Sequence, residues 1–187
     1  IGPTTHYVMG GVRVDGDSQM TSVPGLYAAG EVACGLHGAN RLGGNSLSDL
    51  VVFGKRAGEY AATFAKEHSA ATVDGGEVAE SVKAALAPLE RKTGENPYRV
   101  QQDLQVMMQE LVGIVRREDE MTKAAAGLEK LKARARNVSA GGGRAYNPGW
   151  HTALDLKNLL TVSEAAIQSA MARKESRGGH FREDHPD

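Results

Sequence analysis

Residues 31–50, EVACGLHGANRLGGNSLSDL, bring a carboxylate (Glu31), an imidazole (His37) and a guanidinium (Arg41) into one short stretch rich in glycine. The guanidinium carries the most specific chemistry. Its planar fork grips a carboxylate through two parallel charge-assisted hydrogen bonds, and a histidine can add a further donor. Gly38, Ala39, Gly43 and Gly44 keep side-chain bulk away from Arg41, so backbone and ligand can approach closely. Glu31 closes the apolar run GLYAAG, a place where carboxylates accept sugar or ribityl hydroxyls in doubly wound nucleotide folds. From the residues alone, the stretch reads as a seat for an organic acid. A surface arginine or a structural ion pair remains open at this point.

Such a seat needs elements to hold it. GGVRVD at 10–15 alternates like a short strand, and TSVPGLYAAGE at 21–31 reads as a turn feeding a buried strand of small apolar residues. After the Gly-rich GANRLGGN, apolar residues at Leu47, Leu50, Val51, Phe53, Ala57, Tyr60, Ala61 and Phe64 follow a helical period, with Asn45 or Ser46 available as the cap. The site residues therefore lie in a strand, loop, helix unit whose helix turns its first N–H groups toward the loop, an arrangement that favours negative charge there.

Composition shifts to Lys, Arg and Glu after HSAATVDGGE, which puts a domain boundary near residue 75. Helices are expected over EVAESVKAALAPLERKT, PYRVQQDLQVMMQELVGIVR with Pro97 at its first position, EDEMTKAAAGLEKLKARARNV with a stripe of Met121, Ala125, Leu128, Leu131 and Ala135, and LDLKNLLTVSEAAIQSAMARKES. AGGGRAYNPGWH reads as a loop and RGGHFREDHPD as a charged tail. The expected fold class is therefore mixed, with a doubly wound α/β piece over residues 1–75 and an all-α helical bundle over 76–187.

The 22 basic and 23 acidic residues, net charge −1, are well mixed, so nucleic acid is not an expected partner. A single cysteine, Cys34, excludes an internal disulfide framework and a Cys-based zinc site. The scattered histidines His151, His180 and His185 make no metal-ligand pattern, so no metal is expected. Met107, Met108, Met121 and Met171 fall at core spacing on helices. No window reaches the roughly 18 to 20 apolar residues of a spanning helix. The chain starts IGPTTHYVMGG without Met, and the expectation is a piece of a longer polypeptide.

Four stretches in order, HYVMGG at 6–11, GLYAAGE at 25–31, HGANRLGGNSL at 37–47 and KESRGGHFRED at 174–184, closely resemble the flavoprotein subunit of succinate dehydrogenase and fumarate reductase. The resemblance runs nearly end to end, and it covers only the C-terminal part of that subunit. It implies that residues 1–75 close an FAD-binding domain, with the end of the capping-domain junction, and that 76–187 form the C-terminal helical domain. It implies FAD as cofactor, with most of its binding domain absent here, since no G-x-G-x-x-G opens a strand-to-helix turn in these residues. Carried over by position, His6 and Arg41 bind the substrate carboxylates, Glu31 hydrogen-bonds FAD, Ser46 and Leu47 bring backbone close to the flavin ring, and Gly10 and Gly11 let the chain pass beside it. No catalytic residue is assigned, because the proton-shuttling arginine of the family lies upstream of residue 1. His37 and Asn40 are read as structural, and Arg177 and His180 in the tail are left without a role.

The resemblance also implies an iron–sulfur subunit and a membrane anchor as partners, with the subunit peripheral on the cytoplasmic face of a bacterial inner membrane. EVACGLHGANR is slightly shorter than its counterpart in common members, which bears on the anchor type and electron acceptor. L-aspartate oxidase shares the fold and a very similar loop and is the alternative; MGG at 9–11 and GGNSL at 43–47 favour the dehydrogenase, since a cysteine is expected in place of Met9 in the oxidase. A third reading is a non-catalytic helical interaction module over 76–187. The 187 residues alone are expected to show no turnover, because the adenosine and pyrophosphate contacts of FAD are lacking.

Overall fold

Three helices start at a residue whose side chain replaces a missing helical partner. In the computed structural model, which describes residues 6–187, Asp74 accepts from the backbone N–H groups of Gly76 and Glu77 to open α2 (Gly75–Glu90). Asn96 accepts from Tyr98 N at 2.9 Å to open α3 (Pro97–Leu111), and Asn147 accepts from Trp150 N at 3.0 Å to open α5 (Pro148–Ala172). Caps of this kind contribute about 1 kcal/mol each, and Pro at the first position of α3 and α5 gives up an N–H that would have no partner anyway. The remaining long helices are α1 (Asn45–Glu67) and α4 (Glu118–Ala135). Helix α4 carries Glu118, Asp119 and Glu120 in its first turn and Lys132 and Arg134 in its last, matching both ends of its dipole.

Several elements differ from expectation. Helix α5 begins at Pro148, because Asn147 both caps Trp150 and donates to the carbonyls of Gly141 and Gly143, converting the end of the supposed loop into a helix start. Helix α3 stops at Leu111; Val115–Arg116 leaves it as β1 and pairs in parallel with β2 (Phe181–Arg182). Helix α1 is opened by Gly44 in the left-handed region at φ 78°, with no side-chain cap, so neither Asn45 nor Ser46 plays the expected part. The expected strands near the N-terminus are reduced to single bridges, Val12 with Ala33 and Met20 with Tyr27, since a ladder needs a neighbour and the described residues of this unit offer none.

The residues cluster into two compact units. One runs to Thr72 and includes Arg177–Gly179; the other comprises Val73–Ser176 and His180–Asp187. In the second unit, α3, α4 and α5 pack mutually around Val100, Leu104, Ala124, Leu128, Leu131, Leu156, Leu160 and Ile167, all buried, and Val138 joins them from the α4–α5 loop. These positions recur at three- and four-residue steps on each helix, as an apolar stripe requires. On α4 the buried set is Met121, Ala124, Leu128 and Leu131; Ala125 and Ala135 of the expected stripe lie at its half-buried margin. Met107, Met108 and Met171 pack against the same core, as their spacing predicted. Helix α2 lies against α5, where Trp150 Nε1 donates to Ala85 O at 2.7 Å.

In the first unit, α1 packs on a single 3-10 turn, Gly30–Val32. A side chain at Gly30 (φ 78°) would run into Leu50 of α1, so glycine is what lets the helix seat on the turn. Farther along, Tyr27 meets Phe64 edge-on at 6.4 Å. Phe53, Ala57, Ala61 and Phe64 are half-buried, whereas Leu42, Leu47, Leu50 and Val51 stay exposed, Leu42 at 76% and Leu47 at 68%. The apolar residues at and before the start of α1 thus extend beyond what this unit covers.

Candidate functional site

Arg41 occupies the loop that leads into α1. Its guanidinium carbon lies 4.4 Å from the centre of the Tyr7 ring, a cation–π contact that holds the fork against an aromatic face. Of its donors, Nη1 reaches Leu42 O at 3.4 Å, while Nε is buried and has no hydrogen-bond partner among the described residues. A buried unpaired donor costs about 1–3 kcal/mol, and a carboxylate arriving on that edge would remove the cost. Gly43 and Gly44 add nothing to crowd the approach, since a side chain at either would meet open space.

Behind Tyr7 stands a buried polar pair. Asp49, on α1 and 5% exposed, places Oδ2 at 3.3 Å from Nε2 of His37, and the same nitrogen lies 3.2 Å from the Tyr7 hydroxyl. The Tyr7 and His37 rings meet edge-to-face at 5.5 Å. Partial burial, then the nearby carboxylates of Asp49 and Glu31, push the Tyr7 phenol above its ordinary pKa, so it stays a neutral hydroxyl. His37 is thus held within the protein by Asp49 and Tyr7. Tyr7 and Asp49 were not singled out from the sequence; the only hint was that both sit inside the quoted motifs.

The other expected site residues are distributed around this centre. Glu31 Oε1 accepts from Val8 N at 3.0 Å, tethering the HYVMGG segment to the 3-10 turn, and the side chain is exposed. Gly11 (φ 147°) serves a close approach within the chain itself: a Cβ there would collide with Val32 O, and Val12 N donates to that oxygen at 2.7 Å. Gly10 faces open space. Ser46 is half-buried and Leu47 exposed in the first turn of α1. His6 is exposed and makes no hydrogen bond, ion pair or ring contact among the described residues.

The tail holds the most buried charge in the protein. Arg182, 0% exposed, donates from Nε and Nη2 to both oxygens of Asp184 at 2.7 and 2.8 Å, and from Nη2 to Glu118 Oε2 at 2.7 Å. Its Nη1 reaches the carbonyls of Ala170 at 3.1 Å and Arg173 at 3.3 Å, the bare C-terminal end of α5 where a cation is favoured. Asp184 also accepts from Glu118 N at 2.9 Å at the start of α4. The Arg182 guanidinium holds the Asp184 carboxyl well below the usual carboxylate range. His180 is buried beside this node: Arg116 Nη1 donates to its Nδ1 at 2.6 Å, which leaves the proton on Nε2 for Arg173 O at 3.1 Å. Burial, with the arginines around it, lowers the His180 pKa and keeps the ring neutral. The charged tail forms a strap that joins the start of α4 to the end of α5. Among the described residues no group of three or more His, Cys, Asp or Glu could hold a metal, and no helix is long and apolar enough to cross a membrane.

Comparison with known proteins adds the following. Residues 101–187 match the family model described as "Fumarate reductase flavoprotein C-term" and residues 1–47 the model described as "FAD binding domain". The fumarate reductase flavoprotein subunit of Escherichia coli is 40% identical over 190 residues, which cover 97% of this chain and 31% of that protein. L-aspartate oxidase of Streptomyces coelicolor is 38% identical over 192 residues, covering 100% of this chain and 31% of that protein. Among solved structures, one chain of the Mycobacterium smegmatis Sdh1 complex in its apo form superimposes over 100% of this chain and 32% of its own length, with TM-score 0.95 and 50% identity. The chain thus spans about a third of the length of the relatives it matches.

Proposed function

We propose that this chain, which belongs to the flavoprotein family of succinate dehydrogenases and fumarate reductases and matches the C-terminal part of it, supplies the carboxylate clamp of a site that interconverts succinate and fumarate. FAD is the cofactor of the family, and these residues carry a small part of its binding domain. The observation that carries the reading is Arg41: a guanidinium fixed on an aromatic ring, with a buried Nε–H left without a partner among the described residues.

The residues present fit a flavin. The uncapped first turn of α1, with Ser46 and Leu47, follows two glycines that leave open space, and exposed Leu42 and Leu47 offer apolar contact to a ring. A helix N-terminus of this kind favours negative charge on the bound group by about 0.3–1 kcal/mol. Glu31 has its second carboxylate oxygen free of hydrogen bonds among the described residues, so it can accept one from the cofactor while the first holds Val8. When bound, FAD accepts or donates the hydride equivalent. Arg41 binds one carboxylate of the diacid through its fork, fixing the carbon chain for in-line transfer and stabilising charge on the carboxylate. His6, exposed beside Tyr7 in sequence, supplies a further donor to the substrate, and no proton transfer is assigned to any residue of this chain.

Relatives of known structure are parts of multi-subunit assemblies such as the Sdh1 complex, which supports assembly with other chains. An iron–sulfur subunit and a membrane anchor as those partners, on the cytoplasmic face of a bacterial inner membrane, complete the reading. The L-aspartate oxidase relative, similar over the whole chain, keeps amino-acid oxidation as a second reading; Met9 and GGNSL argue for succinate over aspartate. The test is dye-coupled oxidation by the full-length, FAD-loaded subunit with succinate and with L-aspartate, scoring ammonia release. Succinate turnover without ammonia is expected, and preferential oxidation of aspartate would overturn the assignment.

A further inference from the structure

Asp49 is the one buried carboxylate among the described residues, and nothing in the proposed chemistry uses it. Its surroundings give it a task. Asp49 Oδ2 and the Tyr7 hydroxyl converge on the same nitrogen of His37, at 3.3 and 3.2 Å, and the Tyr7 ring in turn carries the Arg41 guanidinium at 4.4 Å. His37 is held from one side by a helix residue and from the other by a residue of the HYVMGG segment, and both side chains of the His37–Asp49 pair are more than nine-tenths buried. This is a chain of contacts from the rigid body of α1 to the plane of the guanidinium.

We propose that Tyr7, His37 and Asp49 are positioning residues for Arg41, fixing the plane and height at which its unpaired Nε–H edge meets a dicarboxylate, and so setting diacid affinity. The inference rests on the reading of Arg41 as the carboxylate clamp. The physical argument is preorganisation. An arginine side chain has many rotamers, and ordering it on binding costs affinity; a ring already stacked under the guanidinium meets that cost in advance. The ring is itself free to turn about two torsions unless its hydroxyl is anchored, and the buried His37–Asp49 pair is the anchor. Tyr7 thus contributes twice, through its face to Arg41 and through its hydroxyl to His37.

These two contributions separate by substitution in the full-length, FAD-loaded subunit. The probe is malonate, a diacid that cannot be dehydrogenated, with binding read by calorimetry and by the flavin absorbance change. Tyr7→Leu, which removes ring and hydroxyl, is expected to weaken malonate about tenfold; Tyr7→Phe, which keeps the ring, about threefold. Asp49→Asn should weaken it about threefold to tenfold, with flavin content unchanged. The decisive arm is a double-mutant cycle: Asp49→Asn placed in an Arg41→Ala background should produce no further loss, because the relay acts only through Arg41. A purely structural Asp49 would weaken binding equally in both backgrounds, and that result overturns the relay. If Tyr7→Leu does not retain flavin, Tyr7→Phe and the cycle still decide. If Arg41→Ala itself leaves malonate binding unchanged, the clamp reading fails; if it weakens binding while Asp49→Asn and Tyr7→Phe do not, the relay alone fails.

Discussion

Replacing Arg182 by methionine tests whether the tail strap holds the helical unit together. The guanidinium is fully buried and makes charge-assisted bonds to Asp184 and Glu118 and bonds to the carbonyls of Ala170 and Arg173. Methionine fills similar volume and returns some apolar burial, but it leaves the end of α5 with buried carbonyls at about 1–3 kcal/mol each. Breaking a buried ion pair by removing one partner costs about 3–5 kcal/mol. The two carboxylates are partly exposed and can turn to water, with Glu118 at 46% and Asp184 at 32%, so the lower end applies and the expected loss is about 3 kcal/mol. Arg182→Lys keeps the charge but not the fork and should lose about 1–2 kcal/mol. Trp150, the single tryptophan, lies on α5 and reports the unit directly in a urea titration followed by fluorescence. With a slope of about 2 kcal/mol per molar, the midpoint should fall by about 1.5 M at unchanged slope. Raising salt to 1 M should shrink the difference only in part, because the guanidinium is buried while its two carboxylates are partly exposed. An Arg182→Met midpoint matching the wild type would refute the reasoning.

His180 predicts a pH dependence. Its folded pKa lies below the ordinary value near 6.5, so the unfolded chain binds the extra proton first and stability, full above about pH 6.5, falls as pH drops toward the folded pKa; His180→Gln should flatten that part of a urea-midpoint profile. Asp184, depressed by Arg182, has the carboxylate sense: its contribution is present above about pH 4 and is lost on further acidification, so Asp184→Asn should remove part of the acid limb below pH 4. Leu128→Ala, in the centre of α4, should cost about 2–5 kcal/mol by the same titration. Gly11→Ala places a Cβ into Val32 O at a positive φ and should destabilise the first unit, seen as faster hydrogen exchange at Val12 and Cys34, whose amides bond across that contact.

Local signals carried most of the helical unit. The apolar stripes of α3, α4 and α5 repeat at helical spacing, and Pro97 marked a helix start. The start of α5 escaped because Asn147–Pro148, read as loop punctuation, is also a cap followed by a first-turn proline; only the bonds of Asn147 decide between the two. The burial of Arg182 was invisible, since HFREDHPD looks solvated and the partner that matters, Glu118, lies 64 residues upstream. The proposed clamp was legible in part. Arg41 in its glycine setting pointed to a carboxylate, but its resting place on Tyr7, and the His37–Asp49 pair behind that ring, depend on a fold that brings residue 7 to residue 41 and α1. The strands expected near the N-terminus required pairing that the described residues do not supply.

The claim on which the function rests is that Arg41 meets a diacid with both arms of its fork. Lysine at that position keeps the charge and loses the bidentate geometry, and the lost charge-assisted bond is worth about 1.5–3 kcal/mol. Measured in the full-length subunit with FAD bound, Arg41→Lys should lower kcat/KM for succinate by roughly tenfold to a hundredfold while flavin content stays at the wild-type level. Retention of wild-type kcat/KM for both succinate and fumarate, with flavin bound, would contradict it.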